Sequence, residues 1–176
     1  MALQETNFSL KKNYHPGTIS RIVELHATYY STHWGFGAFF EAKVASELSQ
    51  FILRYDPDKD LLLTAWIDNQ IQGSIVIDGQ QAHNEGAHLR WFIVSEPFMG
   101  RGIGKRLLNE AIAFSHKKHY QKIYLWTFEG LDAARHLYES VGFKLAKQQK
   151  GKQWGIEVTE QLFQWDTHET VERLGR

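Results

Sequence analysis

Three glycines at alternate positions, Gly100, Gly102 and Gly104, sit in the run Val94-Ser95-Glu96-Pro97-Phe98-Met99-Gly100-Arg101-Gly102-Ile103-Gly104-Lys105. Glycines so spaced leave backbone N–H groups uncovered. The helical periodicity that follows adds the unpaired N–H groups and positive dipole end of a helix start, so the stretch suits a phosphate or diphosphate. Arg101 and Lys105 supply local positive charge. A P-loop is excluded, because its first glycine position is Met99 and its Ser/Thr position is Arg106. The dinucleotide fingerprint is excluded too, since its third glycine falls on Lys105 and the strand follows a hairpin in mid-chain.

Other chemistries are bounded by composition. With no cysteine, the 176 residues hold no disulfide, thiolate nucleophile or cysteine-containing zinc site. No His/Asp/Glu spacing demands a metal, and no nucleophile elbow supports Ser/His/Asp hydrolysis. Lys plus Arg (20) equal Asp plus Glu (20), so no nucleic acid or membrane partner is expected. Met1 to Thr6 lacks a basic-then-apolar leader pattern and no apolar run reaches membrane-spanning length, so the expected setting is cytoplasmic. The length predicts one domain over 1–176, with a core from about 8 to 165 and a polar tail from 166 to 176.

The glycine turn must be held by the elements around it. Phe8 to Tyr14 reads as a strand ended by His15-Pro16-Gly17, with Thr18 or Ser20 as the N-cap of a helix. That helix carries Ile19, Ile22, Val23, Leu25, His26 and Tyr29 at helical spacing, and a second follows with Phe40, Val44, Leu48, Phe51 and Ile52. Leu61–Ile67 and Gln70–Ile77 form an antiparallel hairpin joined at Asp68-Asn69-Gln70. Ala87–Val94 is the strand that enters the glycine turn, and the helix after the turn carries Ile103, Leu107, Leu108, Ala111, Ile112 and Phe114 on one side. Lys122–Phe128 is another strand, and Leu131 to Val141 a short helix stopped by Gly142. Phe143–Lys147 and Ile156–Trp165 are the last strands, parted by a polar stretch from 148 to 155. This order makes an α/β chain with a mixed sheet.

Met99-Gly100-Arg101-Gly102-Ile103-Gly104, placed between a strand and a helix, resembles the Gln/Arg-x-x-Gly-x-Gly/Ala motif of the GNAT superfamily of acyl-CoA-dependent N-acetyltransferases, with Met99 at the first position. Ala134-Arg135-His136-Leu137-Tyr138-Glu139-Ser140-Val141-Gly142-Phe143 resembles that family's Ala-x-x-Leu-Tyr-x-x-x-Gly-Phe. Leu89 to Val94, Leu125 to Leu131 and Trp154 to Glu160 further resemble the acetyltransferase half of bacterial proteins that fuse a MarR-type regulator to a GNAT domain. The resemblance implies a mixed, mostly antiparallel sheet of six to seven strands flanked by four helices, with a splayed parallel strand pair forming an acyl-CoA cleft.

It also implies roles. Backbone groups of Ile93 and Val94 would meet the pantetheine and acyl carbonyl, and Gly100, Arg101, Gly102, Ile103, Gly104 and Lys105 the diphosphate of acetyl-CoA. Met99 replaces a polar side chain there. Tyr138 is the implied acid for the leaving thiolate. Counting back from the motif gives His88 as the base, with Arg90, Phe92 and Val94 on its strand face by the period of two; Glu129 and a water are its rivals. His33, Trp34 and Phe36 occupy the place of an acceptor-covering loop. Trp91, Trp126 and Trp154 are an acceptor pocket, core or dimer surface. The implied reaction is direct acetyl transfer from acetyl-CoA to a primary amine, on a small molecule or protein. The alternative is an acyl-CoA-binding or sensor module working with a separate regulator, and a homodimer would use the aromatic last strands.

Overall fold

β-branched and aromatic residues dominate the segments that hydrogen-bond into one sheet in the computed structural model, which describes residues 7–167. In chain order the elements are Ser9–Lys12 (β1), Thr18–Trp34 (α1), Ala38–Leu53 (α2), Leu61–Ile67 (β2), Gln70–Asp78 (β3) and Ala87–Val94 (β4). A short 3-10 turn, Glu96–Phe98, precedes Ile103–Lys117 (α3), Lys122–Phe128 (β5), Asp132–Ser140 (α4), Lys144–Gly151 (β6) and Val158–Asp166 (β7). The sheet order is β1-β2-β3-β4-β5-β7-β6, antiparallel at every junction except β4 with β5. The expected mixed sheet of seven strands with four helices is therefore present among the described residues. The leader reading of Met1 to Thr6, and the tail from 168 on, lie outside them.

Each face of the sheet has its own core. Leu107, Leu108 and Ala111 of α3 pack with Leu61, Ile75, Leu89, Leu125 and Phe163 on one side, where α4 adds Tyr138. On the other, Ile22 of α1 and Val44, Leu48 and Phe51 of α2 cover Leu62, Val76, Trp91 and Phe128. A strand buried on both faces reads as a continuous apolar run, which is why Leu61 to Ala65 shows no polar side chain except Thr64.

Several local expectations change. Neither Thr18 nor Ser20 caps α1: Gly17 holds the N-cap in a left-handed conformation, Thr18 Oγ1 accepts the His15 N–H, and Ser20 donates back to the Gly17 carbonyl. The first strand is shorter than Phe8 to Tyr14, because it pairs with β2 only from Ser9 to Lys12. β6 extends to Gly151 through residues expected as a loop. It is an exposed edge strand whose Lys and Gln side chains face water, so pairing with β7, not apolar alternation, fixes its length. The aromatic residues Phe163 and Trp165 of β7 lie in the core.

Candidate active site

The glycine turn stands between β4 and the start of α3. Gly100 and Gly102 have φ of 75° and 82°, the left-handed region that a Cβ penalises, and a Cβ at either would meet nothing within 4 Å. The turn is thus shaped by backbone alone and lies open. No side chain caps α3 and no acidic residue sits in its first turn; the helix ladder begins with the Arg106 N–H on the Gly102 carbonyl. The N–H groups of Ile103, Gly104 and Lys105 ahead of it are those of an uncapped helix start, with the positive dipole end behind them. Arg101 packs over Phe98 at 5.2 Å, and Met99 is exposed. Gly104 lies against the inner strand: a Cβ there would touch Leu137, Phe92 and Val94 at 3.4–3.6 Å.

Behind the turn β4 and β5 part. Only Ala87↔Ile123 and His88↔Tyr124 register between them, so the strands diverge from Leu89 onward. A bulge in β4 accompanies the split. Ser74 pairs with Ile93 and Val76 with Arg90, which leaves Trp91 and Phe92 together opposite Ile75. Trp91 takes φ of 44°, and the buried Ser74 hydroxyl donates to its carbonyl at 2.7 Å.

The bulge overturns two strand-based expectations. His88 and Arg90 do not share a face with Phe92 and Val94, because the extra residue shifts the phase of alternation. Phe92 and Val94 pack toward α3, whereas Trp91 joins the α1/α2 core, Ile93 packs on Leu25, and Arg90 pairs with Glu47 of α2. Ile93 is not the backbone contact either. Ser95 donates to Gln72 and Ile93 registers with Ser74, so alternation gives the Ile93 groups to β3 and turns those of Phe92 and Val94 toward the opening.

A cavity of about 570 Å³ occupies the split, walled by α1, α2, β4, β5 and the start of α4. Tyr138 reaches it from α4, with its ring 5.9 Å from that of Phe92 and no hydrogen bond from its phenol among the described residues. Burial, and secondarily the Tyr30 phenol, push its acidity well below that of an ordinary tyrosine, so it stays protonated. Trp91, Trp126 and Trp154 also line the cavity, with Tyr30, Phe40 and Phe128. At one end a chain of ion pairs links Lys43, Glu47, Arg90, Asp78 and Arg54. Both carboxylate oxygens of Glu47 are engaged there, one by Lys43 and one by Arg90.

The expected acid–base residues separate. His88 does line the cavity, but at the root where the strands still pair, flat on Tyr124 at 4.4 Å. Burial and the Arg90 charge push its pKa down to about 3. Glu129 is exposed and outside the lining; its backbone N–H bonds to Thr159. His33, Trp34 and Phe36 stand behind the wall. His33 bonds Glu96 at 2.6 Å and ties the end of α1 to the glycine turn, while Trp34 and Phe36 pack on Phe128 at 4.9 and 5.4 Å.

Two polar groups on α1 were not singled out by the sequence, which put His26 in an apolar stripe ending on Tyr29 and left Tyr30 outside it. His26 and Tyr30, one helical turn apart and 6.2 Å between ring centres, both line the cavity. Tyr30 is also pushed by burial toward its protonated form. Their spacing was visible, but an i, i+4 pair on a buried helix face carries no sign of what lies opposite.

The whole arrangement has known counterparts. A family model described as the Acetyltransferase (GNAT) family matches residues 19–143. N-acetylaspartate synthetase of Xenopus tropicalis is 34% identical over 80 residues, 46% of this chain; the chain spans only 29% of that relative's length. Among solved structures, a GNAT family acetyltransferase of Staphylococcus aureus Mu50 superposes with a TM-score of 0.72 at 16% identity, covering 91% of this chain and 99% of that one. One from Elizabethkingia anophelis with acetyl-CoA bound does so with 0.65 at 20% identity, covering 91% and 98%. These likenesses show the fold, the family model covers most of the chain, and the protein therefore belongs to the GNAT acetyltransferase family.

Proposed function

We propose that the protein transfers an acetyl group from acetyl-CoA to a primary amine by direct attack in a ternary complex. The observation that carries this is continuity: the uncapped start of α3 touches Phe92 through Gly104, and Phe92 and the unpartnered Tyr138 phenol border one cavity in the β4/β5 split. Acetyl-CoA would place its diphosphate on the N–H groups of Gly100 to Lys105. Its pantetheine arm would run along the free backbone edge of Phe92 and Val94. A donor held at both ends presents its thioester to the amine in one orientation, which removes much of the entropic barrier to transfer. Tyr138, kept protonated by its surroundings, gives its proton to the departing CoA sulfur.

Residues 1–176 act as one domain in this reading, and the lack of cysteine suits a cytoplasmic setting. The aromatic lining favours an acceptor with an apolar body beside its amine. The likeness to N-acetylaspartate synthetase puts L-aspartate on the test panel, and the resemblance to regulator-fused domains adds the possibility of a sensor role. Thiol release from acetyl-CoA should be followed with L-aspartate, spermidine, tyramine and a lysine peptide, alongside calorimetric acetyl-CoA binding. Tyr138→Phe should bind acetyl-CoA within about threefold of wild type and transfer about 100-fold more slowly, the usual weight of a general acid. An unchanged rate would remove the acid role. Tight acetyl-CoA binding with no transfer to any amine would favour the sensor module.

A further inference from the structure

Transfer to an amine leaves a proton on nitrogen that some group must take, and the cavity offers few. Both oxygens of Glu47 are engaged by Lys43 and Arg90. Tyr30 and Tyr138 are held in their protonated forms and are donors. His88 lies against Tyr124 at the closed root of the split, beside the positive charge of Arg90.

His26 differs in a way that geometry fixes. Its Nδ1 is 2.8 Å from the Ile22 carbonyl, one turn back on α1, and a ring nitrogen can share that distance with a carbonyl only as an N–H donor. In the neutral ring the lone pair is thereby placed on Nε2. No hydrogen bond to Nε2 exists among the described residues, although every side-chain nitrogen and oxygen sealed from solvent there has a partner. His26 is 6% exposed and lines the cavity, so Nε2 opens into it, and Trp91 and Phe92 of the β4 bulge line the same space.

We propose that His26, through Nε2, accepts the proton lost by the attacking amine. This rests on the acetyl-transfer reading above. The amine lone pair forms the C–N bond as the carbonyl π pair moves to oxygen; the oxygen pair then returns, the C–S bond breaks, and its electrons go to sulfur. Sulfur takes a proton from Tyr138, and the ammonium proton passes to Nε2, so CoA leaves as the thiol beside a phenolate and an imidazolium. Proton transfer between that pair, directly or through water, restores both residues. Tyr30 is stacked on His26, with ring centroids 6.2 Å apart, and lines the same cavity as Tyr138. Burial holds the free His26 imidazole near a pKa of about 4, which keeps Nε2 unprotonated while the site awaits an amine.

The test uses the full chain and whichever panel amine gives the fastest thiol release. His26→Ala should bind acetyl-CoA within about threefold of wild type and lose about 100-fold in kcat. Added imidazoles should restore the rate in proportion to their basicity, since a proton acceptor and not a mere filler is being replaced. A rate within twofold of wild type, or rescue indifferent to basicity, would overturn the role. If His26→Ala does not fold, 15N-histidine NMR of the wild type with CoA decides it. Addition of the amine should shift the His26 Nε2 resonance, and an unmoved resonance sinks the inference. Should wild type release no thiol with any amine while binding acetyl-CoA, the transfer reading itself fails, an outcome distinct from either of these.

Discussion

Gly130 has no side chain because Trp34 stands where one would go. A Cβ there would fall on the Trp34 ring, and the residue's φ of 107° is one that other residues rarely adopt. Trp34 in turn braces Phe128, a wall of the cavity. Gly130→Ala is predicted to cost about 2–4 kcal/mol in urea unfolding, combining backbone strain with overpacking. A variant of unchanged midpoint would show that Trp34 yields freely. At this scale the motifs gave residues a place in the fold, Tyr138 on the cavity and the glycines between β4 and α3, and no more than that. The sequence was silent on His26, because a histidine in an apolar stripe is chemically the same whether it meets a core or a cavity. Trp34 and Phe36 were read as substrate contacts when they instead support the residues that line the space.

The element that decides the site is the bulge in β4. Two residues opposite one reverse the faces of Phe92 and Val94 relative to His88 and Arg90, and the same irregularity accompanies the loss of pairing with β5. Ser74 holds it through a buried bond to the Trp91 carbonyl. Ser74→Ala is expected to lower stability by about 1–3 kcal/mol, the cost of an unsatisfied buried carbonyl, and to weaken acetyl-CoA binding as the split loses definition. Equal calorimetric affinity in the variant would free the cleft from dependence on that bond. Strand limits around the site were legible because Ala87–Val94 and Lys122–Phe128 are bounded by turn chemistry; Asp68 and Asn69, both at positive φ, close the β2/β3 hairpin where the sequence puts its turn. The bulge was not, since it sits on a tryptophan with no glycine to mark it. β6 was cut short for a related reason: an edge strand is specified by its partner's register, and its own residues look like loop.

For the molecule as a whole, enclosing two neutral histidines in one cavity has a consequence for stability. His26 and His88 keep folded pKa values near 4 and 3, lowered mainly by burial, whereas a histidine in the unfolded chain titrates near 6.5. Above that unfolded value both states hold neutral rings and these residues give stability no slope. As the pH falls below about 6.5 the unfolded chain takes up protons that the folded one refuses, so stability declines until the folded values are passed. Each histidine adds up to one proton, or about 1.4 kcal/mol per pH unit, to that slope. Urea titrations between pH 7.5 and 5 should therefore show the decline beginning near 6.5, above the range where carboxylates dominate. His88→Gln should remove up to one proton from the slope while leaving acetyl-CoA binding in place. The pair His26→Gln and His88→Gln together should flatten it to what the other histidines contribute. A double variant as acid-sensitive as wild type would mean that water reaches both rings freely and that burial does not hold them neutral in the folded chain.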